Sequence, residues 1–438
     1  MSCLQPCVCI SNARVGICES NSETTSKSEG TTTSASQTQV SSTAVKLDIH
    51  SDMASTSSMK PTNIVYELDP KCYQLITPIG IGYDGSSTVY TARHLTSGTT
   101  VVVRKTNLEA VKGCFAELRH EYYLYKLAKH ECILSFHVAF AFDNELWVIM
   151  PLMEQGSTRD MLDYCFPDGF SEIVISHILR DVLQALDYIH KMGYIHRSID
   201  ASHILVSRSG QVCISGLRTS VSMIEDGRKL PAVHSFPAQA VKMLPWLAPE
   251  VLEQNVLGYD AKSDVYSVGI TACELANGCV PFSDMVPMKM LLEKLNGTTP
   301  KLLDRTTLGE EIQQEQGVTD TSSSPVDSGM GDSGSPGTSD QHNPYTRVFS
   351  PEFHNFVEVC LKRDPFDRPS ADKLLQHPFF KQTRRKTSEA LQPLMQFVRT
   401  ITETMLTKAH NNQDGEAGVS NMAERLEALQ IHQSWQFE

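Results

Sequence analysis

Basic residues and long apolar runs are scarce in this chain. Its 38 lysines and arginines face 51 aspartates and glutamates, and the formal net charge of −13 argues against nucleic acid or an anionic membrane as the main partner. No stretch reaches the roughly 18 apolar residues of a membrane-spanning helix, and the start lacks the apolar run of a signal peptide. The 12 cysteines are scattered without a metal-binding spacing, so we expect a reduced intracellular protein that holds no metal.

Two segments have low complexity. Residues 1–64 are rich in Ser and Thr and poor in aromatics, and such a composition predicts disorder because too little apolar surface is available to offset chain entropy. Residues 308–343 contain two Ser-Pro pairs and two Asp-Ser-Gly triplets, which predict an exposed loop. Phosphorylation or degradation signals are the alternative interpretation of that loop, and chance matches are favoured over them.

Between these segments, short β-type runs precede a helical region. Strand patterns at 73–79, 88–93 and 100–104 are followed by a helical pattern at 115–128 and then by two more strand patterns, at 133–142 and 146–150. From residue 172 onward the apolar spacing becomes helical. The sequence therefore predicts an α+β fold with a small β-rich lobe, a larger helical lobe and a tail over residues 381–438.

The order of the motifs resembles a protein kinase domain over residues 73–380. Three glycines resemble the loop that covers nucleotide phosphates, although Val89 arrives two residues later than usual: Gly80, Gly82 and Gly85. Arg104 replaces the lysine of the third strand, and we expect it to pair with Glu121 of the following helix. Lys105 should point to the opposite face of the strand. Met150 matches the gatekeeper and Met153 the hinge, while Val89, Val102 and Leu205 would wall an adenine slot.

The residues that perform phosphoryl transfer in kinases are missing from two motifs. A kinase catalytic loop reads H-R-D-x-x-x-x-N, and a metal-binding triplet, D-F-G, follows it. Its first Asp accepts the substrate proton, while the Asn and the second Asp hold Mg²⁺. Ser198, His203 and Gly216 stand at these three positions. Since a hydroxyl is a poor base and glycine cannot bind a metal, the sequence predicts no catalytic residues, no metal and no enzymatic activity.

The motifs that support the shape of the helical lobe are present. Glu250 ends the activation segment within Ala-Pro-Glu, and Arg368 is its expected buried partner. Asp264, in a motif resembling D-x-W-S-x-G, should brace the catalytic loop. A buried charge left without its partner costs about 3–5 kcal/mol, so the presence of both Glu250 and Arg368 favours a kinase-like fold.

Nucleotide binding is a separate question. Arg218, at the glycine position of D-F-G, together with Arg104 could neutralise phosphates, which would permit ATP binding without Mg²⁺. Pairing of Arg218 with a carboxylate of its own lobe is an equally favoured alternative. Asp200 opposes nucleotide binding, because it carries a negative charge where kinases usually have a lysine.

Within the kinases, the chain resembles the STRAD adaptors, the sterile-twenty-related pseudokinases, and is nearer to their alpha type. Five runs carry the resemblance: 194–198, 201–205, 215–218, 259–264 and 267–278. We interpret the basic cluster at 381–386 as a solvated helix end rather than a nuclear import signal. The end of the tail is similar to the Trp-Glu-Phe of this family, with Trp435 and Phe437 as the expected partner-binding residues.

The resemblance implies an allosteric role. A STRAD adaptor activates liver kinase B in a heterotrimer with the helical-repeat scaffold mouse protein twenty-five, in the cytoplasm and nucleus, and acts in cell polarity and cell-cycle arrest. The partner kinase would dock on the activation segment at 217–247, and the scaffold on the tail. The alternative is a divergent, weakly active serine/threonine kinase that uses Asp200 as its base.

Overall fold

The computed structural model describes residues 64–82, 85–111, 115–237, 240–254, 256–307 and 347–384. All of these belong to one compact unit that begins at Ala44. The insert predicted at 308–343, nearly all of the N-terminal segment and most of the tail, including Trp435 and Phe437, lie outside the described residues. Among the helices of the described ranges, none has the length and apolar character needed to cross a membrane.

The small lobe is built on a five-stranded antiparallel sheet in the order β1-β2-β3-β5-β4. Its strands are β1 Tyr73–Ile81, β2 Ser87–His94, β3 Thr100–Asn107, β4 Val138–Phe142 and β5 Glu145–Pro151. Helix α1, Phe115–Leu127, lies between β3 and β4 along the chain. The predicted elements are confirmed, except that the fourth strand begins at Val138 and Ile133 forms only an isolated bridge with Ile214.

Alternation along β3 decides which side chains face the nucleotide slot. Val101 and Val103 pack into the outer apolar cluster with Tyr73 and Trp147. Lys105 lies on that same face, where its Nζ is 2.9 Å from an oxygen of Glu145 and 5.0 Å from the Trp147 ring. Because successive strand residues point to opposite faces, Val102 and Arg104 face the other way, as the sequence predicted for this pair.

The second lobe is mainly helical. Its helices are α2 Thr158–Cys165, α3 Glu172–Lys191, α4 Ala240–Met243, α5 Pro249–Glu253, α6 Lys262–Asn277, α7 Pro287–Asn296, α8 Pro351–Cys360 and α9 Ala371–Leu374. Every residue of α6 from Ser263 to Ala276 is buried, so this helix has no solvent face and forms the centre of the lobe. The α+β, two-lobed fold predicted from the sequence is confirmed.

Short strands order the loops beside the cleft. They are β6 Gly156–Ser157, β7 Tyr194–Ile195, β8 Ile204–Val206, β9 Val212–Ile214, β10 Val221–Ser222, β11 Ile224–Glu225 and β12 Arg228–Lys229. Strand β10, at the start of the activation segment, pairs with β7, which precedes the catalytic loop. Val233 forms a further bridge with Tyr259. These pairings tie the described part of the activation segment to the body of the lobe.

Candidate functional site: a kinase cleft with a filled metal position

The ion pair of the small lobe is present. Arg104 donates through both terminal nitrogens to the Glu121 carboxylate at 2.8 and 2.9 Å, and to the Tyr122 hydroxyl at 2.6 Å. Burial disfavours the charged form, but the Glu121 carboxylate and the neighbouring tyrosines together outweigh burial and raise the pKa of Arg104 well above its ordinary value. A two-pronged contact of this kind fixes the orientation of the guanidinium as well as its distance. Arg104 therefore holds α1 against the sheet, and most of its charge is balanced there.

Ser198, Asp200 and His203 form one hydrogen-bonded group in the catalytic loop. The Nδ1 atom of His203 lies 2.7 Å from Asp200 Oδ2 and 3.1 Å from Ser198 Oγ. Asp200 Oδ1 also accepts from the backbone nitrogens of Ser202 and His203 at 2.8 and 3.1 Å, which caps the short 3₁₀-helix that follows. The carboxylate therefore serves the loop itself.

Charge is balanced inside this loop. Burial acts against both ions, yet their mutual attraction prevails: the carboxylate raises the pKa of His203, and the imidazolium, together with the backbone donors, lowers the pKa of Asp200. The negative charge that the sequence predicted at Asp200 is thus offset by His203. That Asp200 opposes phosphate binding stays a prediction, and its carboxylate lies 2.7 Å from His203 Nδ1.

His203 occupies the space next to Gly216. Gly216 has a φ of 85°, and a Cβ atom built on it would lie 2.5 Å from Cδ2 and 3.0 Å from Nε2 of His203. Contacts below 3 Å between such carbon atoms force something to move. The imidazole thus stands where the side chain of an Asp at position 216 would begin, and the two replacements are sterically complementary. Among the described residues, no group of three His, Cys, Asp or Glu side chains is arranged to hold a metal.

Arg218 contacts the small lobe. Its Nε lies 3.9 Å from Glu117 Oε2 on α1, and its side chain is mostly buried. The backbone nitrogen of Gly216 donates to the Tyr125 hydroxyl, also on α1, at 3.3 Å. The acidic partner at 3.9 Å therefore lies across the cleft, in the small lobe, and phosphate binding by Arg218 stays a prediction.

Two buried acids brace the helical lobe as predicted. Asp264 is fully buried and accepts from the backbone nitrogens of His196 and Arg197, each at 2.8 Å. Burial lowers the pKa of His196 to about 4, so the ring is neutral at physiological pH. Glu250 receives two hydrogen bonds from Arg368 at 2.6 and 2.8 Å, and the guanidinium is 1% exposed. The predicted pair is therefore complete.

The guanidinium of Arg197 ties the activation segment to the catalytic loop through neutral acceptors. It donates to the carbonyl oxygens of Thr219 at 2.5 Å and Ser235 at 3.1 Å, and to the Tyr259 hydroxyl at 3.0 Å. Sequence analysis did not single out this arginine. Its neutral acceptors lie 22 to 62 residues away along the chain, so sequence spacing gave no signal for them.

The residues predicted to form the nucleotide slot lie around the cleft. Val102 is buried and pairs with Met150 in the β3–β5 register, while Val89, Met153 and Leu205 are half-buried. Gly80 lies in β1 and pairs with Val89. A Cβ on Gly82 would lie 2.7 Å from that of Ser87, so this turn requires glycine. Gly85 has a φ of 73°.

Comparison with known proteins agrees with this geometry. The protein kinase domain model matches residues 73–380. The STE20-related kinase adapter protein alpha of Bos taurus is 48% identical over 373 residues, covering 84% of this chain and 98% of the bovine protein. The human alpha protein is 49% identical over 374 residues, 84% of each chain. The human beta protein is 41% identical over 352 residues, 78% of this chain and 82% of that one.

The two lobes, the retained ion pairs and the altered catalytic positions are thus accompanied by similarity along most of the chain. The alpha relatives reach 48–51% identity and the beta relatives 41–42%. The chain belongs to the protein kinase fold family and, within it, to the STE20-related kinase adapter proteins, nearer to their alpha than to their beta type.

Proposed function

We propose that this protein is a catalytically inactive kinase-fold adaptor that activates a partner kinase by binding it. The observation that carries the proposal is the contact between His203 and Gly216, which fills the position of a metal-binding acid. Ser198 stands at the position of the base. Loss of a general base alone usually lowers the rate by about 10²–10⁴, and loss of the metal ligands removes charge stabilisation of the phosphates as well.

A divergent kinase that uses Asp200 as its base is the alternative. Its carboxylate already accepts from two backbone nitrogens and from His203. Burial is outweighed by these partners, which lower its pKa, and a carboxylate of low pKa is a weak base at neutral pH. We therefore favour the adaptor over the enzyme.

The partner proposed from the family resemblance is liver kinase B, bound in a heterotrimer with the scaffold mouse protein twenty-five, in the cytoplasm and nucleus. Large apolar side chains are exposed on and beside the activation segment: Phe236 at 42%, Val241 at 69% and Val256 at 92%. Exposed apolar side chains that lie near one another are typical of protein-binding surfaces. An adaptor shifts its partner toward the active state only if it binds that state more tightly than the inactive one.

The frame that presents this surface is built from contacts between residues of this chain. Arg104–Glu121, Glu250–Arg368 and the Asp264 bonds are all made within the chain. The binding surface is therefore largely preorganised, which lowers the entropic cost of association. The scaffold contact proposed for Trp435 and Phe437 involves two aromatics, a type of residue enriched at the centre of interfaces.

We further propose that the cleft binds ATP without Mg²⁺. Two basic side chains stand at kinase motif positions beside the place of the metal: His203, paired with Asp200, and Arg218, near Glu117. Titration of the full chain with ATP in EDTA should show saturable binding, and Arg218→Leu should weaken it. Arg228→Leu, on the exposed β11–β12 hairpin, removes the same charge away from the cleft and is the matched control. Equal affinity of the two variants would contradict this proposal.

The adaptor proposal is tested by phosphorylation of a peptide by purified liver kinase B, with and without this protein and the scaffold. Stimulation is expected only when this protein is present. This protein alone with Mg-ATP serves as the control and should transfer no phosphate. Transfer in that control, abolished by Asp200→Asn, would instead establish the enzyme.

A further inference from the structure

A second cavity lies behind the hinge. Its volume is about 570 Å³, within the range of binding sites for small molecules or a few side chains. Its lining comes from three loops and includes Glu131, Leu134, Leu152, Glu154, Arg208 and Cys213. We call it the back cavity. The slot-forming residues Val89, Val102 and Leu205 do not line it, whereas Met153 belongs to both sites.

The lining of the back cavity includes two acidic side chains, Glu131 and Glu154, and one arginine, Arg208. Glu131 is exposed, and its carboxylate lies near that of Asp181 on α3. Burial raises the pKa of Asp181, its neighbour Arg180 lowers it, and the charge on Glu131 raises it further. Arg180 pairs with Asp181 at 3.3 Å, so Glu131 is the exposed acid that a basic segment would contact here.

The chain leaves the described structure close to this rim. The carbonyl oxygen of Thr383 accepts from Arg180 Nη1 at 3.4 Å. One helical turn further along α3, Gln184 accepts from the thiol of Cys132 at 3.6 Å, and Cys132 directly follows Glu131. A helical turn is 5.4 Å long, so the tail departs within a few residues' reach of the back cavity.

The residues that follow have the matching chemistry. Arg384, Arg385 and Lys386 form the basic cluster noted in the sequence, and an apolar group comes next: Leu391, Leu394, Met395 and Phe397. An extended chain spans at most about 3.3–3.6 Å per residue, so the seven steps from Arg384 to Leu391 cover up to roughly 25 Å. The basic residues can therefore pass the acidic rim before the apolar ones reach the cavity.

We propose that residues 384–397 dock onto the back of their own hinge, with Leu391 and Leu394 in the back cavity and the basic run beside Glu131. The occupant is this segment because its charge complements the rim and its attachment point lies beside it. Since Met153 lines both the back cavity and the adenine slot, docking of the tail would brace the hinge from behind. The inference stands on this cavity and does not depend on the partner kinase.

The test places a photo-crosslinking amino acid at Leu394 of the full chain, with the same residue at Leu406 as the matched control. Mass spectrometry should find crosslinks from position 394 in peptides containing residues 130–135, 151–154 or 207–213, and none there from position 406. Crosslinks elsewhere, or equal patterns from both positions, overturn the proposal. Isotope-labelled and unlabelled copies are mixed, so crosslinks between copies would identify a second chain as the occupant and also overturn it.

Two variants separate the apolar and the charged contributions. Leu391→Asp should lower the crosslink yield by at least about tenfold, because a buried leucine contributes more than a tenfold factor in affinity. Glu131→Arg should lower it about two- to fivefold, as expected for an exposed ion pair, and Arg384→Glu with Arg385→Glu should restore it. Glu352→Arg, exposed on α8, is the control. An unchanged yield in Leu391→Asp, or no recovery in the charge-swapped chain, refutes the docking mode.

Discussion

Replacing Gly216 with alanine should destabilise the protein more than the same replacement at Gly227. Both glycines have a left-handed backbone, with φ of 85° and 75°, so both variants bear the cost of a Cβ in that region, about 1–2 kcal/mol. At Gly227 nothing lies within 4 Å of the new atom, whereas at Gly216 it would meet His203 at 2.5 Å. The matched pair therefore isolates the overlap with the imidazole.

The size of the difference follows from packing. Insertion of one methyl group into a filled space costs about 1–3 kcal/mol, so the free energy of unfolding of Gly216→Ala should lie below that of Gly227→Ala by that amount. His203→Asn removes the ring atoms that the new methyl group meets. The double variant should therefore lose less than the sum of the two single variants, by about 0.5–3 kcal/mol.

Urea unfolding at pH 7.5, followed by tryptophan fluorescence, measures these four free energies on the full chain. A Gly216→Ala value within about 0.5 kcal/mol of Gly227→Ala would mean that His203 does not fill the space beside residue 216. Strict additivity of the Gly216 and His203 changes would lead to the same conclusion. Either result would remove the observation that carries the proposed function.

Three further predictions test the frame. Arg368→Met should lower the free energy of unfolding by about 3–5 kcal/mol, since Glu250 is left buried without its partner; recovery in a double variant that also carries Glu250→Gln is expected, and an additive loss would contradict the pairing. Arg104→Met should lower the melting temperature much more than Lys105→Ala, because the partly exposed ion pair of Lys105 with Glu145 contributes at most about 1 kcal/mol. Equal shifts would contradict the assignment of these two residues to opposite faces of β3. Burial, and then a nearby carboxylate, raise the pKa of Glu274 from 4.5 to about 7. The folded state therefore binds more protons than the unfolded state between these two pH values, and the free energy of unfolding falls as pH rises from 4.5 to 7. Glu274→Gln should reduce this fall by about 3 kcal/mol, and an unchanged pH profile of urea unfolding would refute the prediction.

Local patterns predicted the elements well. The runs at 73–79, 88–93 and 100–104 became strands two to three residues longer, and the helix at 115–128 ends one residue earlier, at Leu127. Alternation along β3 was enough to place Lys105 on the outer face. The predicted strand at 133–142 was too long because Ile133 contacts Ile214, 81 residues away, instead of a neighbouring strand of the sheet. Boundaries that depend on such distant partners cannot be inferred from a local period.

In the candidate site, too, some contacts were predicted from the sequence and others were not. Arg104–Glu121 and Glu250–Arg368 followed from motif positions, since a buried charge needs a partner and the resemblance supplied one. The relation of His203 to Gly216 did not follow, because the sequence shows two separate replacements and only the fold brings them within contact. Arg218 is similar: its contact with Glu117 crosses from one lobe to the other, and no spacing rule predicts it.

The steric fit between His203 and Gly216 also bears on the proposed role as an inactive adaptor. The paired charges of the frame are buried, so loss of either member costs several kcal/mol, whereas Ser198 and Gly216 stand at positions where an acid would itself need a partner or a metal. Replacement of the metal ligands by a glycine and an imidazole that pairs with Asp200 leaves no isolated negative charge in the loop. This arrangement is the one expected of the proposed adaptor, which must present its binding surface whether or not Mg²⁺ is present.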